Sequence, residues 1–162
     1  MHELNKSDDY SLLLKQVVAL IDSEPDRLAN MANIASFIYH MIPDLNWSGF
    51  YLLTGEDLVL GPFNGLPACT RIPMGKGVCG TSAAFKQVLN VENVHNFEGH
   101  IACDSASNSE LVVPMIYQNK VIGVLDIDSP VLDRFDIKLE ELVPLRDRRK
   151  SKSNASAFHN FR

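Results

Sequence analysis

Between His100 and Ser129 the chain reads HIACDSASNSELVVPMIYQNKVIGVLDIDS, and its residue types do not suit a quiet pair of core strands. A thiol, Cys103, and three carboxyls, Glu110, Asp126 and Asp128, accompany two apolar runs, LVVPMIY and VIGVLDI. Buried charge is costly unless it is paired or used, so acids at the end of an apolar strand point to a cleft. Strand alternation puts Asp126 and Asp128 on one side, about 6.8 Å apart at roughly 3.4 Å per residue. In a dry site, either a cation lies between two such groups or one of them keeps its proton. A thiol beside them has its thiolate disfavoured, so nucleophilic use of Cys103 requires a protonated acid or an incoming cationic ligand.

Whether Glu110 joins the two aspartates depends on hairpin register. A three-residue loop of Gln118, Asn119 and Lys120 sets Glu110 opposite Asp128 on one face, whereas a two-residue loop sets them on opposite faces. We adopt the three-residue loop because it gathers three acids at one mouth. Cys103 lies in CDSASNS, an irregular polar segment in which a reactive thiol can be exposed. His95, His100 and Cys103 form H-x4-H-x2-C, a set from which zinc ligands can be drawn, but the spacing matches no compact zinc motif and no C-x2-C pair is present. We assign no metal.

Cys69 and Cys79 fall in the loop NGLPACTRIPMGKGVCG, long enough to imply function. An odd count of three cysteines in a reducing compartment does not read as a permanent disulfide framework. Cys79 stands near the start of a short helix, TSAAFKQ, where a thiol's pKa can be lowered. Gly75, Gly77 and Gly80 lack the spacing and the G-K-[ST] ending of a phosphate loop. In WSGFYLL, Trp47 and Tyr51 share a strand face, as two core aromatics or as two pocket walls with their polar tips free for a ligand.

These groups need a scaffold, and the apolar periods supply one. Helical spacing predicts a helix over residues 8–22, with Leu12, Leu13, Val17, Leu20 and Ile21 inward. A second is predicted over 24–42, capped at Ser23, with Leu28, Met31, Ala35, Ile38 and Ile42 on one face and Pro43 after its end. A period of two then marks WSGFYLL and DLVLGPF as a hairpin about Gly55-Glu56-Asp57, VLNVENV as a strand, and LVVPMIY with VIGVLDI as a second hairpin. Pro114 belongs at an edge or a bulge. Residues 136–143 read as a closing helix cut by Pro144, and residues 145–162 as a mobile basic tail.

The 162 residues suit one domain, residues 1–144, able to bury roughly 70% of its unfolded surface without disulfides or metals. No apolar run approaches the roughly 20 residues of a membrane span. The polar start MHELNKSDDY does not read as a signal peptide, so a cytoplasmic location is expected. The net charge of -5 divides into +5 over residues 145–162 and -10 over the remainder, and an acidic body argues against nucleic-acid binding.

In GPFNGLPACTRIPMGKGVCGT, HIACDSASNSELVVP and IGVLDIDSP, together with its three cysteine positions, the chain resembles the free methionine-(R)-sulfoxide reductases. The resemblance spans about Leu28 to Asp136. It implies an α+β fold, a single GAF domain with a central antiparallel sheet, helices on one face and active-site loops on the other. It implies Cys103 as the catalytic cysteine, Cys69 as its principal resolving partner and Cys79 as a supporting or alternative one. Trp47 and Tyr51 match the aromatic walls, and Glu110, Asp126 and Asp128 the acids around the substrate.

The implied chemistry is attack by Cys103 on the sulfoxide sulfur, protonation of its oxygen, and a sulfenic acid that Cys69 converts to a disulfide. Thioredoxin, and NADPH behind it, restores the thiols; no bound cofactor is implied. Asp126 is assigned to the substrate ammonium, and Glu110 with Asp128 to the sulfoxide. A site that wraps the amino-acid backbone leaves no room for a peptide, hence the free amino acid. The family also implies a possible homodimer through terminal helices and a closing amphipathic helix, a pattern that Pro144 and the basic tail interrupt. The alternative is a GAF sensor or binding module without turnover, which has no need of this cysteine set.

Overall fold

The fold follows from a computed structural model that describes residues 9–135, with side chains from Leu12 onward. The predicted closing helix and basic tail lie outside the described residues.

Helix α1 spans Asp9–Ile21 and α2 spans Arg27–Met41. The cap of α2 is Asp26, three residues later than predicted, and its carboxylate accepts a hydrogen bond from the Ala29 amide at 2.8 Å. Pro25 explains the shift. The residue before a proline is pushed out of helical geometry, so Ser23 and Glu24 stay outside, and Glu24 instead accepts from the Asp26 amide at 2.7 Å. At the far end Ile42, just before Pro43, is extended for the same reason. The inward faces are narrower than their patterns: Leu12, Leu20 and Leu28 are exposed, while Ile21, Met31, Ile34 and Ala35 are buried.

Six antiparallel strands follow: β1 (Trp47–Thr54), β2 (Asp57–Gly65), β3 (Arg71–Pro73), β4 (Leu89–Val91), β5 (Ser109–Tyr117) and β6 (Lys120–Ser129). Their order is β3-β2-β1-β6-β5-β4, so the first and last long strands are neighbours at the centre. Helix α3 (Gly77–Phe85) lies between β3 and β4 in sequence. The long loop therefore contains a short strand, and the helix begins two residues before Cys79. The turn after β1 is Gly55-Glu56, with Asp57 already paired to Thr54. VLNVENV supplies only the three residues of β4, then a single 3-10 turn at Val94–Asn96.

Alternation along the central strands sorts the core into two layers. Phe50, Leu111, Val113, Leu125 and Ile127 meet α1 and α2 on one face, joined there by Phe135. Trp47, Tyr51, Val112 and Val124 point to the other, against Leu58, Ile72 and the α3 residues Val78, Cys79 and Ala83. Thus α3 shares the face of the loops, and among the described residues α1 and α2 are the helices that cover the opposite one. Glu110, Asp126 and Asp128 fall in the same alternation as Val112 and Val124, which turns the acids toward the loops.

The register places Glu110 opposite Asp128, but by a different device from the predicted one. Gln118 and Asn119 both have positive φ, 47° and 64°, and make a two-residue turn with Tyr117 paired to Lys120. A bulge then corrects the register: Ile116 pairs with Val121 but Met115 pairs with Gly123, which leaves Ile122 as the extra residue. Pro114 sits one residue before this bulge and beyond the last β5 residue paired with β4.

Trp47 is stacked between Phe63 and Tyr51, with ring centroids at 5.3 and 5.8 Å. It lies across Gly49, where a Cβ would meet Phe63 Cβ at 2.4 Å and the Trp47 ring at 2.6 Å. Gly49→Ala should therefore cost about 1–3 kcal/mol by overpacking. Thermal unfolding measures this, and an unchanged midpoint would show that the stack does not depend on the missing side chain.

Candidate active site

The aromatic face and the cysteine loop are fastened together. The Trp47 indole N–H donates to Leu66 O at 3.1 Å, and the Tyr51 hydroxyl donates to Cys69 O at 2.9 Å. Both rings are buried and neither lines the cavity described below. The polar tips expected to be free for a ligand are thus committed to the loop that carries Cys69.

Cys69 is joined to Cys103 by a disulfide, with Cα atoms 5.3 Å apart. The polar segment around Cys103 is held by its own side chains, as its Ser and Asp content implies. Asp104 accepts from the Ala106 amide at 2.9 Å. The Asn46 side-chain amide donates to Asp104 at 2.9 Å and to Ser107 Oγ at 3.0 Å. Asn46 precedes Trp47 on β1, and no sequence signal singled it out.

Behind the disulfide lies a cavity of about 360 Å³, its open mouth included. Cys103, His100 and Ser107 form part of its wall, with Glu110, Asp126, Asp128 and Cys79 among the other lining residues. Glu110 and Asp126 are each 6% exposed. The Cys79 thiol donates to Glu110 Oε1 at 3.8 Å. Asp126 Oδ1 is buried without a hydrogen-bond partner, an acceptor left open in a cavity wall.

The zinc set read from sequence is not brought together. Cys103 is in the disulfide, His95 Nε2 is 2.9 Å from Asn108 Oδ1, and His100 Nε2 is 3.8 Å from Glu110 Oε2. Another trio, Cys79, Glu110 and Asp126, has donor atoms within 4.8 Å of one another. Of these, the Cys79 thiol donates to Glu110 Oε1 at 3.8 Å.

The family profile described as GAF domain matches residues 12–143. The chain is 56% identical over 134 residues to protein YtsP of Bacillus subtilis, covering 82% of each. It is 53% identical over 132 residues to the free methionine-R-sulfoxide reductase of Escherichia coli, covering 82% of this chain and 80% of that one. The structure of the fRMsr of Staphylococcus aureus in complex with substrate superposes with a TM-score of 0.78 at 46% identity, covering 86% of this chain and 91% of that one.

The chain belongs to the GAF-domain family of free methionine-R-sulfoxide reductases.

The electrostatics of this reductase fold are set by burial. Glu110 is pushed well above the usual carboxylate range, first by burial and then by Asp126 and Asp128. Asp128 is raised likewise by burial, Asp126 and Asp104, partly offset by a hydrogen bond from Ser107. Asp126 rises to about 7: burial raises it, while hydrogen bonds from Cys79, Glu110 and the Ile127 amide lower it. Glu110 faces Asp128 in the register, and Asp126 adds to the upward push on both.

Cys79 does not fit a lowered pKa. It is the third residue of α3, and burial with the neighbouring Asp126 and Glu110 carboxyls pushes its thiol well up. These effects outweigh the helix N-terminus, whose influence is typically under about 1–2 kcal/mol. Its thiol is free, so the pairing favours Cys69.

Raised folded-state carboxyl pKa values stabilise the protein below the unfolded value, near pH 4, and that stability is lost as pH climbs through the folded ones. For Asp126 the loss centres near pH 7. Each tenfold difference in proton affinity is worth roughly 1.4 kcal/mol. The melting midpoint of the oxidised protein should therefore fall between pH 5 and pH 8, and Asp126→Asn should flatten that fall. A midpoint that rises over this range, or an equal slope in the variant, would contradict the burial of these acids.

Proposed function

We propose that this protein reduces free L-methionine-(R)-sulfoxide to L-methionine through a cysteine sulfenic acid and a disulfide, with a thioredoxin-type dithiol as reductant. The observation that carries the reading is the Cys69–Cys103 disulfide, whose Cys103 lines one cavity with Glu110, Asp126 and Asp128. A binding module needs an acid pocket at most. Two cysteines in bonding register over such a pocket favour the enzyme.

In the reduced state Cys103 Sγ attacks the sulfoxide sulfur as a thiolate. Glu110, with Asp128 beside it, donates a proton to the oxygen, which moves as hydroxyl to Cys103 Sγ as methionine leaves. Cys69 Sγ then attacks the sulfenic sulfur, water departs, and the disulfide forms. Asp126 takes the substrate ammonium. Its open Oδ1 in the cavity wall supports that role.

Trp47 and Tyr51 act on the Cys69 loop in the oxidised state. As the backing of the aromatic face, they are the groups from which the methyl-sulfur end is bounded once the disulfide opens. The half-buried disulfide is open to an external thiolate, and NADPH enters only through the reductant's own recycling. A reducible disulfide beside a free thiol accords with a cytoplasmic setting. Exposed Leu12 and Leu20 on α1 offer a face for a homodimer. The acidic composition argues against nucleic acid, and no helix among the described residues is long and apolar enough to cross a membrane.

The test is coupled NADPH oxidation with thioredoxin, its reductase and free methionine-(R)-sulfoxide. Wild type should consume NADPH, Cys103→Ser should show none, and Cys69→Ser should release one methionine per chain and then stall. Cys79→Ser should keep turning over. Undiminished turnover in Cys103→Ser, or no turnover by folded wild type, would sink the assignment.

A further inference from the structure

The reaction leaves one task without an owner. Glu110 starts each cycle protonated and ends it as a carboxylate, almost wholly buried beside Asp126. It must recover a proton before the next sulfoxide arrives. The balance of the reaction defines the source: a sulfoxide and two thiols become a thioether, a disulfide and water, with no net proton consumed. The proton lost by the Cys103 thiol when it becomes the nucleophile therefore equals the one that Glu110 spends.

His100 lines the same cavity as both of these groups. Its Nε2 is 3.8 Å from Glu110 Oε2, and its side chain is 15% exposed against 8% for the glutamate. It is three residues from Cys103, and both line the same cavity. The other titratable groups around this cavity are Asp126 and Asp128 on β6, Cys79 on α3 and Asp104 beside Cys103. His95 acts on the ring from the 3-10 turn. Among these, His100 is the group that combines an approach to Glu110 and partial access to solvent with an imidazole that can both take up and give up a proton.

We propose that His100 is the proton carrier of the site, taking the proton released by Cys103 at the cavity mouth and returning it to the Glu110 carboxylate after each reduction. The inference rests on the reading of Glu110 as the acid. In the first transfer Nε2 accepts H⁺ from Cys103 Sγ–H, leaving thiolate and imidazolium. In the second the imidazolium gives H⁺ to Glu110 Oε2, leaving neutral imidazole and a carboxylic acid. No electrons change hands.

Burial favours the second transfer, because it lowers the imidazole's proton affinity and raises the carboxyl's. At 3.8 Å the contact is too long for a hydrogen bond, and one bridging water or a small ring movement closes it.

The experiment compares His100→Ala, His100→Gln and Glu110→Gln with wild type in steady-state reduction of free methionine-(R)-sulfoxide by saturating dithiothreitol, with and without added imidazole. Both His100 variants should lose about tenfold or more in kcat with little change in KM. Imidazole should restore rate to His100→Ala in a dose-dependent way and do nothing for Glu110→Gln. Unchanged kcat in His100→Ala, or a loss that imidazole does not mend, would overturn the carrier role. Full activity in Glu110→Gln would instead overturn the reading of Glu110 as the acid, which separates the two failures.

Discussion

Three carboxyls at the end of two paired strands, in a wall that water reaches only from one side, cannot all be charged. That constraint organises the site. Burial, with repulsion from neighbouring acids, pushes Glu110 and Asp128 well above the usual carboxylate range, and burial raises Asp126 to about 7 against the hydrogen bonds that lower it. One end of the sheet thereby offers a proton and an anion within a few ångströms. A zwitterionic sulfoxide needs both: the anion for its ammonium, the proton for its oxygen. Cys79 is enlisted by the same field, as a neutral thiol that donates to Glu110 rather than as a nucleophile.

Cys69 and Cys103 lie on segments that the sheet holds by hydrogen bonds. Tyr51 and Trp47 hold the Cys69 loop by backbone carbonyls, and Asn46 holds the Cys103 segment through Asp104 and Ser107. Trp47 and Tyr51 lie on β1 and Asn46 immediately precedes it, and its partner β6 carries Asp126 and Asp128. The central strand pair therefore positions acid and thiol chemistry alike, which is why a substitution as small as Gly49→Ala bears on the site.

The strand content, the two faces and the acid trio were legible because alternation is a local property: once Val124 is inward, Asp126 and Asp128 follow. The Glu110–Asp128 pairing was read correctly for a mistaken reason, since a tight turn and a bulge together give the register of a longer loop. Helix boundaries shifted where proline and short-range capping competed, as at Pro25 and Asp26. What could not be read were contacts between distant segments. Nothing in the sequence marks Asn46 as the tether of Cys103, or reveals that Trp47 and Tyr51 spend their polar tips on the loop. Cys79 looked activatable from its place near a helix start, because local position was visible and its surroundings of acids were not. His100 was dismissed with the zinc reading, yet it faces the cavity.

Infrared spectroscopy of the carboxylic acid carbonyl stretch tests the central claim most directly, because only a protonated carboxyl absorbs there. At neutral pH the wild-type protein should show bands from protonated buried acids, and Glu110→Gln and Asp128→Asn should each remove one. A spectrum at neutral pH without protonated carboxyl absorption, or one unchanged by both substitutions, would contradict the account.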